Sequence, residues 1–106
     1  MDIEFLVNVL LELKKASISS TPDTIESVIH KYDMLFLGSK FNNIYSLELR
    51  HSLEKIFNYN VSLDELHSVI PQICKTLNMK FEKLIAVKDA DKPNPKTATF
   101  QITLWE

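Results

Sequence analysis

A chain of 106 residues, 45% apolar and 25% charged, has the make-up of one globular domain with one hydrophobic core, and this excludes an intrinsically disordered segment. Its net charge of −2 is far from the strongly basic balance of a chain held to nucleic acid by bulk charge. One cysteine, Cys74, excludes an intrachain disulfide or a cysteine-cluster metal site, and one glycine, Gly38, excludes the glycine-rich loops that cradle phosphates.

No apolar run approaches the length of a membrane span, and the Met-Asp-Ile-Glu start is acidic where a secretory signal carries positive charge. The expected compartment is therefore the cytoplasm, with no membrane association. Charge is unevenly spread. Residues 1–66 carry six basic and ten acidic side chains, and residues 67–106 carry six basic and four acidic, so positive charge gathers toward the C-terminal end. No composition shift divides the chain. It reads as a single domain over 1–106, with an N-terminal helical pair in 1–37 and helices plus a hairpin in 43–106.

From Ile3 to Lys15 the apolar residues Ile3, Phe5, Leu6, Val7, Val9, Leu10, Leu11 and Leu13 wrap well beyond one helical stripe. Such a helix is buried on most of its circumference, centrally or against another chain, and Phe5, Val9 and Leu11 are its candidate partner or homodimer contacts. Ser20-Thr21-Pro22-Asp23 combines a hydroxyl cap, a proline suited to the first turn and an acidic residue, which predicts a second helix. Ile25, Val28, Ile29, Tyr32 and Leu35 form its inner face, and Gly38 is the expected left-handed stop. A third helix is predicted over Tyr45 to Phe57, with Leu49, Leu53, Ile56 and Phe57 on one side.

Ser62-Leu63-Asp64-Glu65 is a capping box, with Val61 and Leu66 placed to staple it, so a helix starts there. Leu63, Leu66, Ile70, Ile73, Cys74 and Leu77 keep helical phase across Pro71. The helix kinks there, or a second one begins. Beyond Asn78 the period changes: 80–88 and 97–105 are rich in β-branched and aromatic residues, and Phe100, Ile102 and Leu104 alternate with Thr99, Gln101 and Thr103. These two stretches are expected to pair as an antiparallel hairpin around a polar loop, Asp89 to Lys96. The fold class is α+β, four helices followed by a two-stranded C-terminal hairpin.

Little in the sequence points to catalysis, a metal or a cofactor, and none is expected. His30, His51 and His67 form no zincin-type pair. Glu48 and His51, like Asp64 and His67, have the three-residue spacing that carboxylate-bridged di-iron bundles use, but in those bundles the ligands project inward. Here His51 falls opposite the Leu49 and Leu53 face, and Asp64 falls off the Leu63, Leu66, Ile70 stripe. Cys74 lies in an apolar phase and reads as an inert core thiol.

The order from residue 45 onward, a helix, a short extended piece at Asn60-Val61, the capped helix entered by Val-Ser-Leu-Asp-Glu-Leu, a helix from Pro71 and a hairpin, resembles a winged helix-turn-helix over about 60 residues. That resemblance implies a DNA-binding transcription regulator, with the second helix of the motif in the major groove and the wing on phosphates. It would make Gln72, Lys75, Thr76 and Asn78 the groove-facing residues and Lys88, Lys92 and Lys96 the wing contacts. A single basic residue in that helix implies double-stranded DNA binding only as a homodimer. The competing expectation is a protein-binding adaptor, immunity-type protein or inhibitor that uses its helical surface or a hairpin edge, with Trp105, Tyr45 and Tyr59 as aromatic anchors.

Overall fold

The structure, a computed structural model, describes residues 2–84 and 99–106. Helix α1 spans Ile3–Ile18 and opens on Asp2, whose carboxylate accepts the Phe5 N–H at 3.0 Å. Leu6, Val9, Leu10, Leu13 and Ser17 face inward. Thr21 then caps a tight turn, its hydroxyl accepting the N–H groups of Asp23 and Thr24, and α2 runs Ile25–Tyr32. The helix stops earlier than glycine chemistry predicted: Asp33 takes the left-handed conformation at φ 50° and returns its N–H to the Ile29 carbonyl. Gly38 serves the next turn instead. It sits at φ +87°, where an added Cβ would fall 2.8 Å from Asn43 Nδ2.

Strand β1, Asn43–Tyr45, feeds directly into α3, Ser46–Lys55. A turn through Asn58 leads to α4, Leu63–Leu77, where the Ser62 hydroxyl accepts the Glu65 N–H at 3.1 Å and Val61 and Leu66 are both buried. α4 passes through Pro71 as one helix and ends on Asn78, left-handed at φ 58°. No new helix starts at Pro71, which corrects the element order on which the resemblance was built.

Strand β2, Lys80–Leu84, and strand β3, Thr99–Thr103, pair antiparallel with Phe81 opposite Ile102. They do not stand alone. β1 adds to the far side of β3, with Ile44 opposite Ile102, giving a three-stranded antiparallel sheet in the order β1-β3-β2. The two-stranded expectation fails because β1 has three residues, too few to show a period of two. Its presence makes β3 central, which accounts for the burial of Phe100 and Ile102. The chain is thus α+β, four helices and a small sheet.

Leu6, Leu10 and Leu13 of α1 join Leu49, Leu53, Leu66, Ile70, Ile73, Cys74, Ile44, Ile102 and Leu104 in one buried cluster. Among the described residues no helix is long and apolar enough to cross a membrane.

Candidate binding surface

The best-defined surface is the outer side of α4. Its cap fixes where the helix begins, and its buried stripe of Leu66, Ile70, Ile73 and Cys74 fixes which side faces out. Asp64, Glu65, Ser68, Gln72, Lys75 and Thr76 are exposed. The two hydroxyls are turned back onto the helix, Ser68 donating to the Glu65 carbonyl at 2.6 Å and Thr76 to the Gln72 carbonyl at 3.0 Å. Gln72 and Lys75 keep their polar heads in solvent near the C-terminal end. Asp64 and Glu65 lead the helix, where the positive end of its dipole stabilises carboxylates. Asn78 is exposed, and its left-handed backbone is what ends the helix.

Behind this face lies a polar junction that sequence reasoning missed. Ser46 is wholly buried at the start of α3, and its hydroxyl oxygen accepts the Phe100 N–H of β3 at 2.8 Å. The same oxygen lies 2.7 Å from His67 Nε2 and 3.0 Å from Thr99 Oγ1, and Thr99 Oγ1 in turn accepts the Leu47 N–H at 3.3 Å. The His67 ring stands edge-on to Phe100, with centroids 5.0 Å apart. Burial first, and Lys83 second, push the His67 pKa below 6.5, while Asp64 pulls the other way. Burial thus favours the neutral imidazole.

A serine within hydrogen-bond reach of a neutral histidine has the outline of a nucleophile and its base. Burial argues against that use. No substrate carbonyl can approach a hydroxyl with no exposed surface, and its oxygen already holds a backbone N–H. The junction ties α3, α4 and β3 together. Residues 46, 67, 99 and 100 share no local pattern, so no spacing in the sequence signalled it.

The other candidates separate. His51 Nε2 lies 2.7 Å from Asp33 Oδ2 at the end of α2, so the two carboxylate-histidine spacings lead to different partners. Among the described residues no three histidine, cysteine or acidic side chains gather as metal ligands do. Cys74 is fully buried, and burial pushes its thiol up to about 11, so it stays protonated. No family model, curated protein or solved structure matches this chain.

Of the residues expected at a partner interface, three are engaged within the chain. Phe5 stacks on Tyr59 at 4.8 Å and meets Phe57 edge-on at 6.3 Å. Val9 is 4% exposed, inside the core, which leaves it no surface for a partner. Trp105 donates its indole N–H to Ser17 Oγ at 2.7 Å, and the Lys40 ammonium sits 5.7 Å from its ring. Leu11 alone points into solvent. Of the anchors, Tyr45 is half-buried, and Tyr59 is half-buried with its hydroxyl accepting the Asp2 N–H. The expected wing contacts Lys88, Lys92 and Lys96 lie outside the described residues.

Proposed function

We propose that this chain is a non-catalytic binding domain of winged-helix type, whose α4 face engages a protein surface rather than a DNA groove. The connectivity supports the winged-helix part of this reading. From α2 onward the elements run helix, strand, helix, helix, strand, strand, with the last strand central in the sheet, as in winged helix-turn-helix domains. In that frame the whole of α4, not a segment from Pro71, is the recognition helix.

The observation that carries the second half is the pair Asp64 and Glu65 at the leading end of α4. In helix-turn-helix proteins the N-terminal residues of the recognition helix reach the base edges. Two exposed carboxylates there meet phosphates with like charge, and duplex affinity comes largely from neutralising phosphates. A protein surface bearing lysine or arginine suits that end of the helix. A second reading, double-stranded DNA, is favoured by the exposure of Gln72, Lys75 and Thr76 along the rest of the same face.

Fluorescence anisotropy on a mixed-sequence duplex at about 50 mM and about 200 mM salt separates the two. The protein-binding reading expects no salt-sensitive binding by the natural chain, and gain of such binding in the double variant Asp64→Lys, Glu65→Lys. It also expects a protein captured by the natural chain to be lost by that variant. Salt-sensitive duplex binding by the natural chain overturns it in favour of DNA.

A further inference from the structure

Packing uses one side of α1 and leaves another. With Leu6, Val9, Leu10, Leu13 and Ser17 turned inward, the residues Glu4, Val7, Leu11, Lys14 and Ile18 fall together along one flank, within a sector of about 80° at 100° per residue; Glu4, Leu11 and Ile18 are exposed, whereas Lys14 is half-buried and Val7 packs in part against the core. Leu11 is 42% exposed and Ile18 53%, two of the five large apolar side chains most open to solvent among the described residues, and Val7 is half-buried. Leu11, Lys14, Lys15 and Ile18 also line one shallow, mostly apolar hollow.

The order of these residues matters as much as their exposure. Intervals of 3, 4, 3 and 4 are those of a helix-pairing seam, the a and d positions of a heptad, and the seam drifts little over the 16 residues of α1. Its acidic member, Glu4, is at the start, and its basic member, Lys14, is near the end. A parallel pair of such helices would stack Glu4 on Glu4 and Lys14 on Lys14. In an antiparallel pair, where a layers meet d layers, residue 4 faces 14 and residue 7 faces 11. Both charges are then met by their opposites and Val7 and Leu11 by each other, twice over, while Ile18 falls beyond the end of the paired stretch. A surface complementary to itself in this way has a second copy as its simplest partner.

We propose that the protein forms an antiparallel homodimer through this flank of α1, with Val7 and Leu11 packed across a two-fold axis and Glu4 paired with Lys14 of the second copy. The pairing does not depend on what α4 binds. Its area is limited to one helix about 24 Å long, which places it among weak, concentration-dependent interfaces.

Light scattering after size exclusion, run from about 5 μM to about 500 μM protein to span weak association, tests this. The natural chain is expected to double its mass across that range. Leu11→Glu should stay monomeric throughout, with unchanged circular dichroism and urea midpoint, because Leu11 lies outside the core. Glu4→Lys alone and Lys14→Glu alone should each weaken the dimer by about fivefold, the scale of two exposed ion pairs turned repulsive. A mixture of those two variants should restore it as a heterodimer. A natural chain that remains monomeric at the highest concentration overturns the proposal, as does a dimer that survives Leu11→Glu. No gain in the mixture over either variant alone overturns the antiparallel register.

Discussion

Ser46 and Ser52 lie six residues apart on α3, and both are entirely cut off from solvent. At the sheet end of the helix, the Ser46 hydroxyl has the Phe100 N–H, His67 and Thr99 within 3.0 Å. Further along, the Ser52 hydroxyl has no hydrogen-bond partner among the described residues. Residue type and burial are the same, so the difference isolates what the partners do. A buried hydroxyl that replaces its water contacts with protein ones costs little and links elements, whereas one that loses them without replacement is a net cost to folding. The first region is where α3, α4 and β3 are tied, and the second is where the fold carries an expense.

Ser46→Ala is the substitution with the largest expected effect. It leaves the buried Phe100 N–H without its acceptor and His67 Nε2 without its hydroxyl partner, and unmet buried polar groups cost about 1–3 kcal/mol each. A loss of about 2 kcal/mol is expected, seen as a lower urea midpoint with an unchanged slope. A loss near zero would mean that the junction is passive packing.

Ser52→Ala should act in the opposite direction. Removing a hydroxyl that has no partner recovers its desolvation cost, and alanine is the better helix former, so a gain of about 1 kcal/mol is expected. The cavity left by one oxygen is small beside that gain. A loss of stability would show that the hydroxyl has a partner after all, and the contrast with Ser46 would fall.

The same contrast explains what was legible from sequence. The start of α4 depends on Ser62, Glu65, Val61 and Leu66, all within five positions, and it was read correctly, as was the helical phase across Pro71. The Ser46 junction draws on residues up to 54 positions apart, so no local pattern carried it. β1 escaped because three residues show no alternation, and the end of α2 escaped because Asp33, not Gly38, adopts the left-handed turn. On α1, apolar character alone marked Phe5, Val9 and Leu11 as equivalent. Only the packing separates them, by sending Val9 into the core, Phe5 onto Tyr59 and Leu11 outward.

The junction also predicts a modest pH dependence, and His67 is its source. Its folded pKa lies below the unfolded value of about 6.5, mainly through burial and next through Lys83, with Asp64 opposing. Well above pH 6.5 the ring is neutral in both states and adds no slope. As pH falls from there toward the folded value, the unfolded chain takes up the proton first, so stability declines; below the folded value the loss is complete. The urea midpoint of the natural chain should therefore fall more than that of His67→Gln between about pH 7.5 and about pH 5.5, the range that spans an ordinary histidine. Lys83→Met should reduce the difference without abolishing it, since burial outranks the lysine as the cause. Equal slopes in the natural chain and His67→Gln would mean that the ring takes up its proton as readily in the fold as in the open chain. The junction would then hold His67 equally well in either protonation state, and the tie between α4 and the sheet would not change in acid.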